Sequence, residues 1–571
     1  MMNIEPWEKQ AEKDKNLKKA LRSMNKKELE DAFSCDLTFG TGGMRGVMGY
    51  GTNRMNIYTL RKANYGLGKY LLKTYKNDIA RGVVISHDNR MNSREFALES
   101  AKVLGAFGIK CYIFDSLRTT PELSFSVRYM KAIAGIMITA SHNPAKYNGY
   151  KIYDEYGCQY TPQYADKVVE EVENTKDIFS IPIADLDTMK SIGLLKVLGE
   201  DVDIEFAKNA ESVLLFPQVE KKIKLTYSPL HGTGAEMTER VMKDTGFDCE
   251  FVKEQMIHDP LFKTVKLPNP EDPNAFELSE ALGKKVHADL LVATDPDADR
   301  VGIGVFDGEK YNYLTGNQTG ALLLYFRLNQ EKKLGILPKK GRVFNTIVTS
   351  DLGAKIALSF GFKVTSTLTG FKYIGEQARY LEGTDEAFIF GYEESYGYII
   401  KDYVRDKDSI QSLLAIVEMA NWYLVNENRN LCQVLQEIYQ QYGYYQEYTR
   451  NQFFDGLDGK EKMASITNYF RNASIKALGG LDILVKEDYF LQDRYQLQTG
   501  LHTKISLPVS DVIKYFLDSD SWVVVRPSGT EPKLKVYYSC KGDSIEQAKE
   551  TISKLDREIE HIISDVAGDN V

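Results

Sequence analysis

Short apolar runs and longer amphipathic stretches alternate along most of this chain. "RGVVISHD" (81–88) is a run of β-formers, which predicts a buried strand. It is followed by "SREFALESAKVLGAFG" (93–108), whose apolar positions recur at helical spacing and whose end is a glycine. "KCYIFD" (110–115), "KLTYSPL" (224–230), "ADLLVATD" (288–295), "RVFNTIVTS" (342–350) and "EAFIFGY" (386–392) repeat the strand signal. Strand–helix alternation predicts an α/β protein with largely parallel sheets. The last stretch differs. "SWVVVRPSGTEPKLKVYYSC" predicts two strands around a turn, and "SIEQAKETISKLDREIEHII" a final amphipathic helix, which together predict a smaller α+β C-terminal domain.

Length and composition narrow the function. The 571 residues predict about four domains. A net charge of −8 gives no general basic field for nucleic acid or an anionic membrane. No apolar run approaches the ~20 residues of a membrane span. The charged, helix-like N-terminus lacks a signal core. Six scattered cysteines without a CxxC pair fit reduced thiols, so a cytoplasmic protein is expected.

Chemistry in open α/β sheets gathers at the carboxyl ends of strands, and four polar loops fall there. In "ITASHNPAKYNGYKIY" (138–153) an apolar run ends on Ser141, with His142 and Lys151 near enough in sequence to activate it. The peptide on its own reads more readily as a Ser-x-Asn-Pro turn that caps a helix, and no GxSxG elbow is present. In "TDPDADR" (294–300), Asp295, Asp297 and Asp299 follow a buried run at two-residue spacing. Carboxylates this close need a cation, and all-oxygen ligation favours Mg²⁺. An EF-hand is excluded by Arg300 and Phe306 at its glycine and glutamate positions. A haloacid-dehalogenase-like phosphatase with Asp297 as nucleophile fits "DADRV". In "RPSGTEPK" (526–533), Arg526, Ser528, Gly529 and Thr530 offer a guanidinium, hydroxyls and N–H groups to an anion. In "GYEESYGY" (391–398), Glu393 and Ser395 are groups that bind sugar hydroxyls. "VRDKDS" adds Arg405 and Lys407. "FGTGGMRG" (39–46) adds Arg45, without Rossmann or Walker A spacing.

The loops "TASHNP", "DPDADR", "GYEESYG" and "RPSGTEPK", in this order, resemble the four signature loops of the α-D-phosphohexomutase superfamily. "FGTGGMRGVMGYGTNRMN", "YSPLHGTG" and "TLTGFKYIG" further resemble its phosphoglucomutase branch, which includes phosphopentose-using enzymes. The resemblance implies four domains around a central cleft: 1–205 with the serine loop, 206–315 with the metal loop, 316–455 with the sugar loop and 456–571 with the phosphate loop. It implies interconversion of glucose 1-phosphate and glucose 6-phosphate through a phosphoserine at Ser141 and glucose 1,6-bisphosphate. Mg²⁺ would be held by Asp295, Asp297, Asp299 and the serine phosphate. Arg45, His142, Lys151 and Lys407 would serve proton transfer and charge balance. Arg300, Thr369, Gly370, Glu393, Ser395, Arg405, Arg526, Ser528, Gly529 and Thr530 would hold the sugar phosphate. Gly397 stands where members accepting both mannose and glucose phosphates often carry histidine, which favours glucose. Mannose and pentose phosphates are the alternative substrates on this fold, and a silent sugar-phosphate-binding protein is the non-enzymatic alternative.

Overall fold

The computed structural model describes residues 4–40, 42–454, 459–528 and 533–568. It divides into two compact units, Met1–Thr319 with Phe371–Leu431, and Gly320–Gly370 with Cys432–Val571.

The first unit opens with three short helices, Glu5–Ala11, Lys15–Ser23 and Lys26–Phe33. Asp14 accepts N–H groups at the start of the second, and Asn25 with Glu28 forms a reciprocal capping box on the third. Trp7 anchors them, meeting Phe33, Tyr58 and Phe179 edge-on at 5.3–5.6 Å.

A six-stranded sheet follows, in the order Gly43–Val47, Tyr147–Asp154, Ala134–Ile138, Val83–His87, Cys111–Phe114, Leu195–Leu198. The last four are mutually parallel. Every residue of Val83–His87 and Ala134–Ile138 is buried, as expected where both sheet faces are covered. His87 lies opposite Ile138, so the segments carrying Asn89–Arg90 and Ser141 leave the sheet side by side.

A second, five-stranded sheet has the order Tyr311–Leu314, Val301–Phe306, Leu290–Thr294, Leu225–Ser228, Cys249–Phe251. Leu290–Thr294 and Val301–Phe306 pair antiparallel, Thr294 opposite Val301. The acidic loop is therefore the connection of a β-hairpin. The strands Ala387–Glu393 and Gly397–Ile399 form another hairpin, turned by Tyr396 at φ 64°.

In the second unit, Gly341–Thr346 and Lys363–Thr367 pair in parallel around the helix Asp351–Ser359. The expected strand over 342–350 stops at Thr346, because Ser350 caps that helix through the Leu352 N–H. The C-terminal sheet is antiparallel, in the order Tyr444–Phe453, Lys533–Gly542, Ser521–Pro527, Ile513–Leu517, Leu481–Asp488, Asp493–Gln496, Leu501–Lys504. Helices Gly459–Asn472 and Ile545–Ala567 bury their apolar sides with it. The strand Tyr444–Phe453 lies before the expected boundary at 455, yet pairs along its full length with Lys533–Gly542.

Candidate active site

The candidate site is built around Ser141. Its backbone sits in the left-handed region at φ 50°, and its N–H is held by Thr139 Oγ1 at 2.9 Å. A non-glycine residue keeps such a conformation only where its surroundings enforce it. The twist aims the buried hydroxyl at the neighbouring acidic hairpin. Ser141 Oγ donates to Asp295 Oδ2 at 2.8 Å and lies 3.2 Å from His142 Nδ1.

The acidic hairpin brings its three carboxylates together. Asp295, Asp297 and Asp299 each offer an oxygen within 4.8 Å of the others, and all three are buried. Asp295 Oδ1 accepts the N–H groups of Asp299 (3.1 Å) and Arg300 (2.9 Å), which closes the loop on itself. Three successive carbonyls of the loop receive N–H groups from three separate segments. Thr233 donates to Pro296 at 2.8 Å, Thr120 to Asp297 at 2.8 Å and Ser409 to Ala298 at 3.3 Å. The Thr120 hydroxyl adds a bond to Asp297 Oδ2 at 2.9 Å. Burial and mutual repulsion push Asp295 well above the usual carboxylate range, while Lys151 overcomes burial and draws Asp297 below it.

These residues fit a hard cation. Asp297 Oδ1 and Asp299 Oδ1 are buried without a hydrogen-bond donor, a costly condition that an ion bound by oxygens relieves.

Two lysines balance the carboxylates. Lys151 Nζ lies 2.8 Å from Asp297 Oδ2 and 3.5 Å from Asp299 Oδ2. Lys407 Nζ lies 3.2 Å from Asp299, 3.4 Å from Asp406 and 3.9 Å from Glu393. Burial opposes both ammonium charges, and the facing carboxylates outweigh it, so both pKa values are raised. Glu393 Oε1 also accepts the Ser395 hydroxyl at 2.8 Å. Lys407 thus stands between the acidic hairpin and the Glu393–Ser395 hairpin. It reaches that place through Gly397, where a Cβ would lie 2.0 Å from Lys407 Cδ.

The other expected residues divide. His142 is half-buried, and desolvation together with the nearby Arg300 and Arg45 charges holds its pKa well below the usual histidine value. Arg45 Nη1 donates to Asn143 Oδ1 at 2.7 Å. Arg300 pairs with Glu271 and faces Asp299 Oδ1 at 3.8 Å. Arg405, expected on the substrate, is turned away into the fold: its guanidinium is buried against Glu382 (2.6 Å) and Asp402 (3.0 Å). In the second unit, Arg526 is the penultimate residue of the strand Ser521–Pro527, with Nη1 3.5 Å from the Tyr537 hydroxyl. Ser528 donates its N–H to the Lys533 carbonyl. Thr369 and Gly370 directly precede Phe371, whose ring lies 5.6 Å from Lys407 Nζ. Gly529 and Thr530 lie outside the described residues.

Sequence reasoning missed Thr120 and Asp406. Asp406 accepts the Tyr153 hydroxyl at 2.8 Å and orients Lys407. It missed Asn89 and Arg90 as well. A strand ending on "HDNR" was the one available signal for the last two.

The fold is an α/β one that brings a buried serine against a carboxylate cluster fit for a hard cation, and comparison with known proteins gives the family. Sequence models described as Phosphoglucomutase/phosphomannomutase alpha/beta/alpha domains I, II and III match residues 36–178, 204–308 and 315–442, and that of the C-terminal domain matches 494–555. A phosphoglucomutase from Staphylococcus aureus (strain MRSA252) is 35% identical over 556 residues, covering 97% of this chain and 98% of its own. One from Staphylococcus epidermidis (strain ATCC 12228) is 36% identical over 529 residues, covering 92% and 94%. The solved structure of the Paramecium phosphoprotein pp63/parafusin, a phosphoglucomutase, shares the fold with a TM-score of 0.66 at 18% identity, over 94% of this chain and 95% of its own. A phosphoglucomutase/phosphomannomutase family protein from Burkholderia thailandensis gives 0.65 at 14% identity, over 92% and 97%. The chain belongs to the phosphoglucomutase/phosphomannomutase family and has its four domains, the C-terminal one smaller.

Proposed function

We propose the following reading of the site. The chain is a phosphoglucomutase, an isomerase that moves a phosphoryl group between the 1 and 6 positions of glucose. The observation that carries it is the buried Ser141 hydroxyl, 2.8 Å from a three-carboxylate cluster that two lysines offset in part. The full-length relatives named phosphoglucomutase support the substrate class.

In this reading Ser141 carries a phosphoryl group of about −1.5 to −2 charge. Phosphoryl transfer asks a protein mainly for in-line placement and for compensation of charge on the equatorial oxygens. Lys151, Arg45 and Arg300 supply that compensation from the chain. Mg²⁺, held by Asp295, Asp297, Asp299 and a serine phosphate oxygen, would polarise the phosphoryl group. Neutral His142 gives the serine oxygen a hydrogen-bonding partner without adding charge.

A sugar-phosphate hydroxyl attacks the phosphorus, its oxygen losing a proton as the bond to Ser141 Oγ breaks and the serine oxygen takes one up to become a free hydroxyl. Lys407, rather than Lys151, is the group we assign to the sugar oxygen's proton. As the ammonium that its carboxylate neighbours favour, it donates that proton when a phosphoryl group leaves the sugar for the serine, and in the opposite direction its neutral amine takes the proton. Lys151 is committed to Asp297, whereas Lys407 stands between the acidic hairpin and Glu393, where the hydroxyl would be held. The glucose 1,6-bisphosphate so formed turns and returns its other phosphoryl group to the serine. Glu393 and Ser395 bind the ring hydroxyls. Arg526, Ser528, Gly529 and Thr530, with Thr369 and Gly370, hold the phosphate that is not reacting. Arg405 braces the 402–408 segment instead of touching the sugar. The four-domain division at 205, 315 and 455 is part of the same reading. The enzyme works in the cytoplasm.

An activity panel tests the assignment: glucose 1-, mannose 1-, ribose 1- and glucosamine 1-phosphate, each with trace bisphosphate. Glucose 1-phosphate is expected to turn over fastest, chelation to stop turnover and Mg²⁺ to restore it. Full activity in a metal-free sample, or preference for another sugar, contradicts the corresponding part.

A further inference from the structure

The strand Val83–His87 delivers two side chains, Asn89 and Arg90, that reach in opposite directions from one turn. Asp88 builds the turn. Its N–H donates to the Ile138 carbonyl at 3.0 Å, and its Oδ1 accepts the Arg90 N–H at 2.9 Å. Arg90 then runs beneath the serine loop with its side chain fully buried. Its Nη2 donates to the carbonyls of Ser141 and Asn143, and its Nη1 to those of Pro144 (3.0 Å) and Tyr147 (3.1 Å). Nε faces Asp88 Oδ2 at 3.2 Å. One guanidinium thereby fixes the carbonyl oxygens of four residues in the segment 141–147, which a single-point ammonium cannot do.

Asn89 reaches the other way. Its Nδ2 donates to the carbonyls of His231 (2.8 Å) and Asp259 (3.3 Å). His231 belongs to the turn that braces the acidic hairpin. Gly232 packs so closely that a Cβ would lie 2.4 Å from Pro296 Cα, and the Thr233 N–H donates to the Pro296 carbonyl. The His231 ring is committed on both nitrogens, Nδ1 to the Ile257 carbonyl and Nε2 to the Thr264 hydroxyl, each at 2.7 Å. That pins the 257–264 loop, which returns Phe262 to the underside of Arg90, 5.0 Å from the guanidinium. Leu230, His231 and Phe262 all hold positive φ (48°, 67° and 50°), so this assembly keeps three residues in a conformation they rarely adopt.

We propose that Asn89 and Arg90 are positioning residues that set the distance between Ser141 and the carboxylates. An unbroken path of short contacts runs from the Ser141 carbonyl through Arg90 and Asn89 to His231, Gly232 and Thr233, and ends on Pro296, between Asp295 and Asp297. Neither side chain reaches the reacting atoms, so both act through the two loops. The inference rests on Ser141 being the phosphoryl carrier. In-line transfer is steep in distance: a misplacement of about 1 Å costs about 10²-fold.

The test uses the full-length enzyme with Mg²⁺ and trace bisphosphate. Asn89→Ala and Arg90→Lys are compared with wild type in kcat, KM for glucose 1-phosphate, phosphate content of Ser141 and melting temperature. Asn89→Ala is expected to lower kcat by about tenfold or more, with KM within about twofold and the melting temperature close to wild type. Arg90→Lys keeps the charge and loses the fork, so it is expected not to rescue kcat. Wild-type kcat in either variant overturns the proposal. So does a fall in Asn89→Ala that follows the melting temperature, which assigns the residue to folding alone. Arg90→Lys failing to fold leaves the decision to Asn89→Ala. A wild-type enzyme without turnover or Ser141 phosphate overturns the mutase reading itself, a result distinct from all of these.

Discussion

Gly397 shows what one missing side chain does. A Cβ there would lie 2.0 Å from Lys407 Cδ and 3.3 Å from Glu393 Oε1, so glycine is the opening through which the lysine reaches Asp299 and Glu393. Gly397→Ala is expected to displace Lys407 and to lower kcat by about 10²-fold, the lower end of what a positioned acid or base contributes. Since Gly397 has no positive φ in this structure, the backbone tolerates alanine and the fold should persist. Steady-state kinetics and circular dichroism check both halves. Wild-type kcat in the Gly397→Ala enzyme would remove Lys407 from proton transfer. The same residues show what a sequence conceals. Ser141 and the three aspartates stand out in the sequence because each loop directly follows an apolar run. Between Arg405 and Lys407, two residues apart on an irregular segment, the sequence does not say which faces the site. The fold decides, burying Arg405 on Glu382 and Asp402.

At the scale of elements, the strand Ile513–Leu517 carries an inward lysine. Lys514 is buried, donates to the Ile347 carbonyl at 2.7 Å and lies 4.4 Å from the Trp522 ring. Burial pushes its pKa down to about 8 from the ordinary 10.5, with Asp351 opposing only in part; burial raises Asp351 in turn. The sign follows directly. Between about pH 8 and 10.5 the unfolded chain binds the proton that the folded chain has released, so this group makes stability rise with pH. Below pH 8 the folded state carries the full cost of the buried charge. Lys514→Met should therefore gain stability on wild type at pH 7, and the gap should shrink by up to about 3 kcal/mol by pH 10.5. Urea unfolding across that range measures it, and a constant gap would contradict the buried-charge account. The strands themselves were legible from apolar runs. Their partners were not: the pairing of Tyr444–Phe453 with Lys533–Gly542 joins segments about ninety residues apart, which no local pattern records. The Asn89–Arg90 tie escaped for a similar reason, since its partners are main-chain carbonyls that no residue type advertises.

At the scale of the molecule, the account requires one phosphate to react at Ser141 while the other is held elsewhere. Glucose 1-phosphate and glucose 6-phosphate then present opposite ends to the serine and the same kind of group to Arg526. Arg526→Ala should weaken both by a similar factor. A hydrogen bond to a charged group contributes about 1.5–3 kcal/mol, which is about tenfold to a hundredfold in kcat/KM. Glu393→Gln should affect the two unequally, because it meets different ring faces in the two orientations. Kinetics in both directions decide it, and an Arg526→Ala enzyme impaired with one substrate alone would contradict the shared site.

The central claim is that Ser141, and not Asp297, carries the phosphoryl group. Labelling the enzyme with phosphate from glucose 1,6-bisphosphate, digesting it and mapping the labelled peptide, with and without hydroxylamine, tests this directly. The account predicts a hydroxylamine-stable phosphate on the 138–153 segment that is lost in Ser141→Ala while the fold remains intact. A hydroxylamine-labile phosphate on Asp297 would contradict it.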